Sequence, residues 1–318
     1  MGKDKSLIVF GPVPSRRLGR SLGINNIPPK ICTYSCIYCQ LGRTLKMQIK
    51  RDSFYPTSEI RRSVEEKVNE VESRNERIDF LTFVPDGEPT LDLNLGNHIR
   101  ALKEFGYKIA VITNASLIFD PVVRENLYYA DWVSVKIDAI TAEVWHKIDR
   151  PHGLLDLDKI LMGIEEFSDN FNGLMVTETM LVRDVNDNHE ELKNIAVYIS
   201  KLGSNRSYLA VPTRPPAEKA VKPPQEYNLY NGYHIFVESG IDTELLIGYE
   251  GNAFAFTGNV EDDLLSITSV HPMRKDAVLS YLSKAGSSWD TVQKLIDDKK
   301  IIELNYNGTE FYMRRLSE

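Results

Sequence analysis

Cys32, Cys36 and Cys39 are the three cysteines of this chain of 318 residues, and they lie within eight consecutive positions. The spacing C-x3-C-x2-C brings their sulfur atoms together in either a helical turn or a tight loop. Thiols that converge in this way indicate a bound metal, redox chemistry or a disulfide. A disulfide framework usually has an even number of cysteines and forms in an oxidising compartment. Metal binding is therefore the leading interpretation.

The composition limits the classes of protein to consider. A chain of 318 residues with 42% apolar residues predicts one large domain with a sizeable core and a second, smaller domain. The formal net charge of -7 disfavours a generally basic surface for nucleic acid, although it is compatible with a local basic patch. The N-terminal apolar run is too short for a signal peptide, and no run approaches the roughly 20 apolar residues of a membrane span. We therefore expect a cytoplasmic protein with reduced thiols and no membrane partner.

A repeated alternation of strand-like and helix-like segments predicts the fold class. Short apolar runs end in polar residues, and each is followed by apolar residues at helical spacing. The runs lie at 80–84, 109–113, 132–137, 174–181 and 208–211, and a further strand is predicted at 21–24. About six βα units form an α/β fold with a parallel sheet, either open or closed as a barrel. In both cases the chemistry takes place at the carboxyl ends of the strands.

Capping signals mark the beginnings of two helices. Thr57 or Ser58 is expected to cap the first helix. Its predicted buried stripe is Ile60, Val64, Val68 and Val71. Asp120 is expected to cap another helix, because Pro121 after it suits the first helical position.

The last third of the chain predicts two further regions. Residues 212–226 contain five prolines and predict an extended strap. Residues 227–258 predict a helix and then a hairpin around Glu250-Gly251-Asn252. We expect residues 1–215 to form the main α/β domain and residues 216–258 to form the strap and an extension that covers it.

Residues 259–318 predict a small winged-helix-like α+β module. A helix is expected at 273–284, and Ser288 is a plausible cap for a second helix to Lys299. Two strand-like runs then flank Asn307-Gly308, which is a strong signal for a hairpin with a type I′ turn. Two helices followed by a hairpin are typical of a winged helix.

The cysteine motif, with Tyr38 directly before the last cysteine, resembles the signature of the radical S-adenosylmethionine (SAM) superfamily. Three thiolates can hold three irons of a four-iron cluster and leave the fourth iron open to a small molecule. The resemblance implies a [4Fe-4S] cluster on the three cysteines, SAM on the open iron and a partial (β/α)6 TIM-like barrel. It also implies a reductant such as a flavodoxin or a ferredoxin. Its electron cleaves SAM to methionine and a 5′-deoxyadenosyl radical, which abstracts hydrogen from a substrate.

Other metal sites are the alternative interpretation of the cysteines. One is a structural zinc site with His152 or His271 as the fourth ligand, and another is a buried, redox-inert cluster. Zinc sites mostly contain paired C-x2-C knuckles, whereas this chain has one such pair.

A second motif follows the next predicted strand. Asp86-Gly87-Glu88-Pro89 looks like the Gly-Gly-Glu-Pro motif of the radical SAM superfamily, with Asp86 in place of the first glycine. In that family the motif contacts the amino group of SAM. A glycine lets backbone approach a ligand closely, and a carboxylate can pair with an ammonium group. An ordinary turn is the alternative interpretation.

Weaker matches to the family lie at later strand ends. The residues expected to contact SAM, besides Asp86, Gly87 and Glu88, are Tyr38 near adenine, Asn114, Lys136, Glu178 and Val211. Ser134, Asp138 and Arg183 are further polar residues near these positions. The alternatives are capped turns, solvated strand ends and, for Lys136, a substrate contact or an ion pair with Asp138.

A more local resemblance concerns the segments 11–19 and 84–91. Together they look like a poorly characterised group of archaeal and bacterial radical SAM proteins related to wyosine-base tRNA enzymes. Those enzymes carry additional N-terminal cysteines for a second cluster, which this chain lacks. The leading hypothesis is therefore a radical SAM enzyme with one cluster and an unidentified substrate, either a small molecule or RNA. A tRNA-modifying enzyme is an alternative within the same class.

An alternative from another class is a non-catalytic iron-sulfur or zinc sensor whose winged helix binds nucleic acid. Its recognition helix would contain Lys294 and Lys299 but also acidic residues. This mixture of charges is unfavourable for binding the phosphate groups of nucleic acid. Arg16, Arg17 and Arg20 are expected to form a solvated charge run, and the alternative is that they face an anionic substrate at the barrel mouth. The sequence assigns no catalytic acid, base or radical relay.

Overall fold

The centre of the molecule is a mixed sheet of eight strands that curls into a half-barrel. The computed structural model describes residues 8–247, 259–270, 272–306 and 308–315. The strands are β1 Val9–Ser15, β2 Gly19–Ile24, β3 Ile31–Cys32, β4 Lys46–Met47, β5 Phe80–Phe83, β6 Lys108–Thr113, β7 Trp132–Lys136, β8 Leu174–Met180, β9 Arg206–Ala210, β10 Thr243–Leu246, β11 Met273–Arg274, β12 Ile301–Tyr306 and β13 Thr309–Arg314. The helices are α1 Thr57–Ser73, α2 Leu95–Leu102, α3 Pro121–Leu127, α4 Ala142–Ile148, α5 Leu157–Asn170, α6 His189–Ile199, α7 Glu226–Glu238, α8 Val260–Val270, α9 Lys275–Ala285 and α10 Trp289–Asp297.

The predicted βα alternation is confirmed. In the sheet order β1-β2-β5-β6-β7-β8-β9-β10, the strands from β2 to β10 are parallel. The six predicted strands are β2 and β5 to β9, and their boundaries agree with the prediction to within two residues. Their carboxyl ends therefore meet at one edge of the half-barrel.

Two strands of this sheet are not apparent from the sequence. β1 contains Pro12 and Pro14, which a central strand does not tolerate, but β1 lies at the edge, where proline is allowed. It pairs antiparallel with β2, and the register shifts between Phe10 and Val13. β10 has four residues, two of them polar, and pairs parallel with β9 at the opposite edge.

The helices follow the predicted stripes more closely than the predicted caps. The four apolar residues expected on α1 are all buried. The residue before α1 is Pro56, so the prediction that Thr57 or Ser58 caps this helix is wrong. Thr57 is the first helical residue, and its hydroxyl lies 3.0 Å from His98 Nδ1. At α3 the prediction is confirmed, because Asp120 accepts a 2.9 Å hydrogen bond from the Val122 backbone N–H.

The C-terminal module has the order α8, β11, α9, α10, β12 and β13, and its small sheet has the order β11-β13-β12. The predicted hairpin is confirmed, with Tyr306 opposite Thr309. The helix predicted at 273–284 begins at Lys275, because the two residues before it pair with β13. The next helix ends at Asp297 rather than Lys299, whose φ of 57° is left-handed.

Apolar packing joins this module to the first strand of the half-barrel. Phe10 and Val13 of β1 share a buried cluster with residues of the module such as Leu264 and Tyr281. The edge of β1 is therefore covered.

The segment between the half-barrel and the module contains both irregular and regular structure. Residues 211–225 contain no helix or strand and include the predicted strap except for Glu226, which begins α7; β10 follows. The hairpin predicted around Glu250-Gly251-Asn252 lies outside the described residues. Within the described parts of the chain, no helix is both long and apolar enough to cross a membrane.

The buried sheet predicts a matched pair of stability effects. Leu81 of β5 is fully buried, whereas Leu174 of β8 is 47% exposed. Leu81→Ala should lower the free energy of unfolding by about 2–5 kcal/mol, because it leaves a cavity in the core. Leu174→Ala should change it by about 0.5 kcal/mol or less. Urea titrations followed by circular dichroism check this, and equal effects of the two substitutions would contradict the packing.

Candidate active site

A cavity of about 310 Å³ lies at the carboxyl ends of the strands. It collects most of the residues that the sequence predicts as ligands of the cluster or of SAM. These are Cys32, Cys36, Cys39, Tyr38, Asp86, Gly87, Glu88, Asn114, Lys136, Glu178 and Val211. The chain thus brings together residues that are up to 179 positions apart.

The other polar residues near the predicted strand ends divide between the cavity and its surroundings. Arg16 and Arg17 line the cavity, whereas Arg20 pairs with Glu76 outside it. Ser134 is fully buried in β7, and Arg183 donates a 3.0 Å hydrogen bond to the Pro223 carbonyl oxygen. Of these other polar residues, only Arg16 and Arg17 therefore line the cavity.

The loop that carries the cysteines is held by backbone hydrogen bonds on two sides. β3 pairs with β4, so that Cys32 lies opposite Met47. On the other side, the Ile37 N–H donates to the Ile148 carbonyl oxygen at 2.9 Å. These bonds fix the loop at both ends of the cysteine motif.

The three thiols are free and partly buried in this loop. Burial is the main cause that raises the pKa of each thiol, to about 12 for Cys32 and well above the ordinary value for Cys36. The pKa of Cys39 is also raised, and Lys30 and Lys136 oppose that shift. A bound cation would reverse these shifts, because thiolates bind metal and thiols do not.

Among the described residues, no group of three or more His, Cys, Asp or Glu side chains could hold a metal ion. The thiols do, however, line one face of one cavity.

The second motif packs directly against the cysteine loop. A Cβ atom added to Gly87 would lie 1.9 Å from the Ile31 carbonyl oxygen, so no other residue fits there without a backbone shift. The Lys30 N–H donates to the Asp86 carbonyl oxygen at 2.6 Å, and the Glu88 N–H donates to the Ile31 carbonyl oxygen at 3.3 Å. The two motifs therefore form one unit.

The Glu88 carboxylate organises the neighbouring strand end. Its Oε1 accepts hydrogen bonds from the Thr90 N–H at 3.0 Å and from the hydroxyls of Thr90 and Thr113 at 2.6 Å. Its Oε2 accepts from the Asn114 N–H at 2.7 Å. Most of the acceptor capacity of this carboxylate is thus used inside the protein.

Asp86 has a different environment. Both carboxylate oxygens are buried, and neither has a hydrogen-bond partner among the described residues. Burial raises the pKa of Asp86 to about 7, while the charges of Arg314 and Lys30 oppose the shift. A buried carboxylate without a hydrogen-bond donor is a favourable site for a cationic ligand group.

Ion pairs form the opposite wall of the cavity. Lys136 Nζ lies 3.4 Å from Glu178 Oε1 and 3.5 Å from Asp138 Oδ1, so it pairs with both carboxylates. Arg17 pairs with the same Glu178, and the Tyr38 hydroxyl donates to Asp138. The alternative that Lys136 pairs with Asp138 is therefore confirmed.

The structure adds residues that the sequence does not single out. The Cys36 thiol donates to Asp149 Oδ1 at 3.3 Å, and burial together with the nearby Asp138 raises the pKa of Asp149 well above its ordinary value. Arg214 on the strap also lines the cavity and donates to Gln40 Oε1 at 2.7 Å. Asp149 is separated from Cys36 by 113 positions, and no local pattern signals that contact.

The chain is similar in sequence to known proteins. The Radical SAM superfamily matches residues 26–196, a range that contains both motifs. The chain is 46% identical over 311 residues to the UPF0026 protein MJ1312 of Methanocaldococcus jannaschii, covering 97% of this chain and 96% of that protein.

Two solved structures are also similar to this chain. A radical SAM methyltransferase from Sphaerobacter thermophilus aligns with a TM-score of 0.52 and 14% identity, covering 71% of this chain and 66% of that one. It shows the same fold. A structure of TYW1 with a lysine-pyruvate adduct bound aligns with a TM-score of 0.42 and 12% identity, covering 98% of this chain and 84% of that one.

The environment of Asp86 predicts a pH-dependent stability. The folded protein retains the Asp86 proton up to about pH 7, whereas the unfolded chain releases it near the ordinary value of 3.8. The stabilising contribution is therefore present at low pH and is lost as the pH rises towards 7. Between about pH 5 and about pH 8, the free energy of unfolding of wild type should fall by roughly 2–3 kcal/mol relative to that of Asp86→Asn.

Urea denaturation of the protein without added metal, repeated across this pH range, measures the difference. Asp169→Asn is the matched control, because Asp169 is exposed. This control should follow the wild-type curve. Parallel curves for wild type and Asp86→Asn would show that burial does not keep the Asp86 carboxyl protonated.

Proposed function

Because this chain belongs to the radical SAM superfamily and is therefore an enzyme, we propose that it binds one [4Fe-4S] cluster through Cys32, Cys36 and Cys39 and cleaves SAM reductively. The observation that supports this most strongly is the collection of the three thiols, the 86–89 loop and the polar strand ends around one cavity. The volume of this cavity lies within the range of small-molecule sites.

The donor set fits a cluster with one open iron. Three reduced thiols line the cavity, and the described part of the chain contains no fourth cysteine. When bound, the cluster and SAM supply a 5′-deoxyadenosyl radical that abstracts hydrogen from the substrate. The protein itself binds, orients and shields these groups.

Asp86 is proposed to accept the methionyl ammonium group of SAM. Asp86 is a lining residue of the cavity, and its carboxylate is buried and has no hydrogen-bond partner among the described residues. Glu88 is proposed to hold the loop and the end of β6, because it accepts hydrogen bonds from Thr90, Thr113 and Asn114. Gly87 keeps the loop close to the cysteines.

The remaining predicted contacts are proposed to position the rest of SAM. Lys136, Glu178 and Arg17 are linked by ion pairs and present a preorganised polar wall. Such a wall suits the carboxylate or the ribose hydroxyls of SAM. Tyr38 and Val211 are proposed to contact adenine, and Asn114 completes the polar lining.

The substrate is proposed to carry an anionic group. The lining contains more cationic than acidic side chains. The cationic ones are Arg16, Arg17, Lys30, Arg43, Lys136 and Arg214, and the acidic ones are Asp86, Glu88 and Glu178. Arg17, Arg43 and Lys136 are paired with carboxylates, so the charge for the substrate rests on the other three. Arginine forks bind phosphate and carboxylate groups, which are found on small metabolites and on RNA nucleotides alike.

The hypothesis of a sensor that binds nucleic acid receives less support. Lys294 of α10 pairs with Glu261, and Lys300, three residues beyond the end of α10, pairs with Asp298. Paired lysines contribute little to phosphate binding.

The proposal predicts that iron binding and SAM cleavage depend on each cysteine. After anaerobic reconstitution, wild type should contain about four irons and about four sulfides per chain. With dithionite it should convert SAM to 5′-deoxyadenosine. Cys36→Ala should lose the cluster spectrum and at least about 99% of SAM cleavage, because a ligand of the cluster is missing.

Ser35→Ala, a change in the same loop that removes no thiol, is the matched control and should keep both properties. Iron analysis, visible spectroscopy and chromatography of the nucleoside product provide the measurements. Full SAM cleavage by Cys36→Ala would exclude the assigned ligand set.

The role of Asp86 predicts a specific loss of affinity. In the reconstituted enzyme, Asp86→Asn should weaken SAM binding by roughly 10- to 100-fold, because it removes a charge-assisted hydrogen bond. Asp169→Asn should leave the affinity unchanged. Anaerobic titration calorimetry measures the dissociation constants. If Glu88→Gln weakens binding and Asp86→Asn does not, the ammonium group binds at Glu88 instead.

A further inference from the structure

An exposed patch lies directly beside the cysteine loop. It consists of Leu45, Lys46, Met47 and Lys50, and we call it the docking patch. All four side chains are exposed, with Leu45 at 63% and Met47 at 37%. Two apolar residues therefore stand next to two lysines on one short segment.

The docking patch is connected to Cys32 by main-chain hydrogen bonds. β4, which contains Lys46 and Met47, pairs with β3, and Met47 lies opposite Cys32. The Gln48 N–H donates to the Cys32 carbonyl oxygen at 3.1 Å. Neighbouring strands lie about 5 Å apart, so this surface is one strand spacing from a proposed ligand of the cluster.

The sequence segment that contains the docking patch carries positive charge only. Residues 6–51 contain eight Arg or Lys and no Asp or Glu, although the chain as a whole has a formal net charge of -7. Among the described residues, Lys46 and Lys50 form no ion pair. Arg43 and Arg150 share Glu218 of the strap at the rim of this region. The positive charge of the docking patch is therefore available to a partner.

We propose that the docking patch binds an acidic one-electron carrier protein. This inference rests on the proposed function, which requires an external electron. A small apolar centre with charged surroundings suits a transient complex, and the opposite charge of the partner steers its approach. The rate of electron transfer falls steeply with distance, so a carrier must dock where the surface is close to a cysteine ligand.

The electron balance of this step is complete. The carrier loses one electron, and that electron reduces the SAM sulfonium through the cluster. The bond between sulfur and C5′ breaks, and methionine and the 5′-deoxyadenosyl radical are formed. The radical then takes a hydrogen atom from the substrate, so no proton is required in the reductive step.

The test compares two electron sources with the reconstituted enzyme. Lys46→Glu combined with Lys50→Glu reverses the charge of the docking patch. The matched control is Lys193→Glu combined with Lys201→Glu, two exposed lysines that form no ion pair among the described residues. Formation of 5′-deoxyadenosine is measured with reduced flavodoxin, which is acidic, and with dithionite, which needs no docking surface.

We expect the docking-patch variant to raise the KM for flavodoxin at least about tenfold, and the control to change it less than about twofold. Both should match wild type with dithionite. Calorimetric titration should show that the docking-patch variant binds flavodoxin more weakly than wild type and the control do. Added salt should weaken flavodoxin binding by wild type more than binding by the docking-patch variant.

Several outcomes would overturn the inference. Equal flavodoxin affinities for the two double variants would place the carrier elsewhere. Unchanged flavodoxin binding together with lost tRNA binding in the docking-patch variant would assign the patch to RNA. If wild type fails with dithionite as well, the proposed function fails, independently of docking. If only the docking-patch variant fails with dithionite, the inference is tested with the double variant Lys46→Gln and Lys50→Gln instead. An affinity of that variant for flavodoxin equal to that of wild type would overturn the inference.

Discussion

The contact on which the site depends is the close approach of Gly87 to the Ile31 carbonyl oxygen. It joins two loops that follow different strands, and two backbone hydrogen bonds reinforce it. Because a side chain at position 87 would collide with backbone, the spacing between the cysteine loop and the 86–89 loop is fixed by main-chain atoms. The three cysteines and Asp86 consequently line one cavity in a set arrangement.

This arrangement brings together several buried groups that are harder to deprotonate than usual. The three thiols, Asp86, Glu88 and Asp149 all have a raised pKa, and burial is the largest cause for each. Lys30 and Lys136 oppose the shift for some of them. A site of this kind is costly to charge without cations, and positively charged ligands relieve that cost. Ligand binding and proton release are therefore coupled.

The sequence is informative about the site where its chemistry lies in short motifs or at strand ends. Three clustered cysteines, the motif around Gly87 and the βα alternation suffice to predict one site at the carboxyl edge of a half-barrel. The role of Glu88 is harder to foresee, because its partners Thr113 and Asn114 come from another strand. The local motif identifies the residue but leaves its hydrogen bonds undetermined.

Contacts between distant segments are the ones that sequence patterns do not indicate. Asp149 reaches Cys36 only after α4 has packed beside the cysteine loop, and no spacing rule relates the two positions. β1 is hidden by its two prolines, although its position at the edge makes them acceptable. These features depend on tertiary packing, which periodicity and capping do not describe.

The position of Arg314 on β13 bears on when the site is completed during synthesis. Its charge acts on Asp86, although the chain between them includes most of the half-barrel and the whole C-terminal module. Chains emerge from the ribosome with their N-terminal parts first, and domains fold as units in that order. The cysteines and Asp86 are thus made long before the arginine that balances them. A nascent chain holds the ligands early but acquires the final electrostatics of its pocket only after β13 has been synthesised.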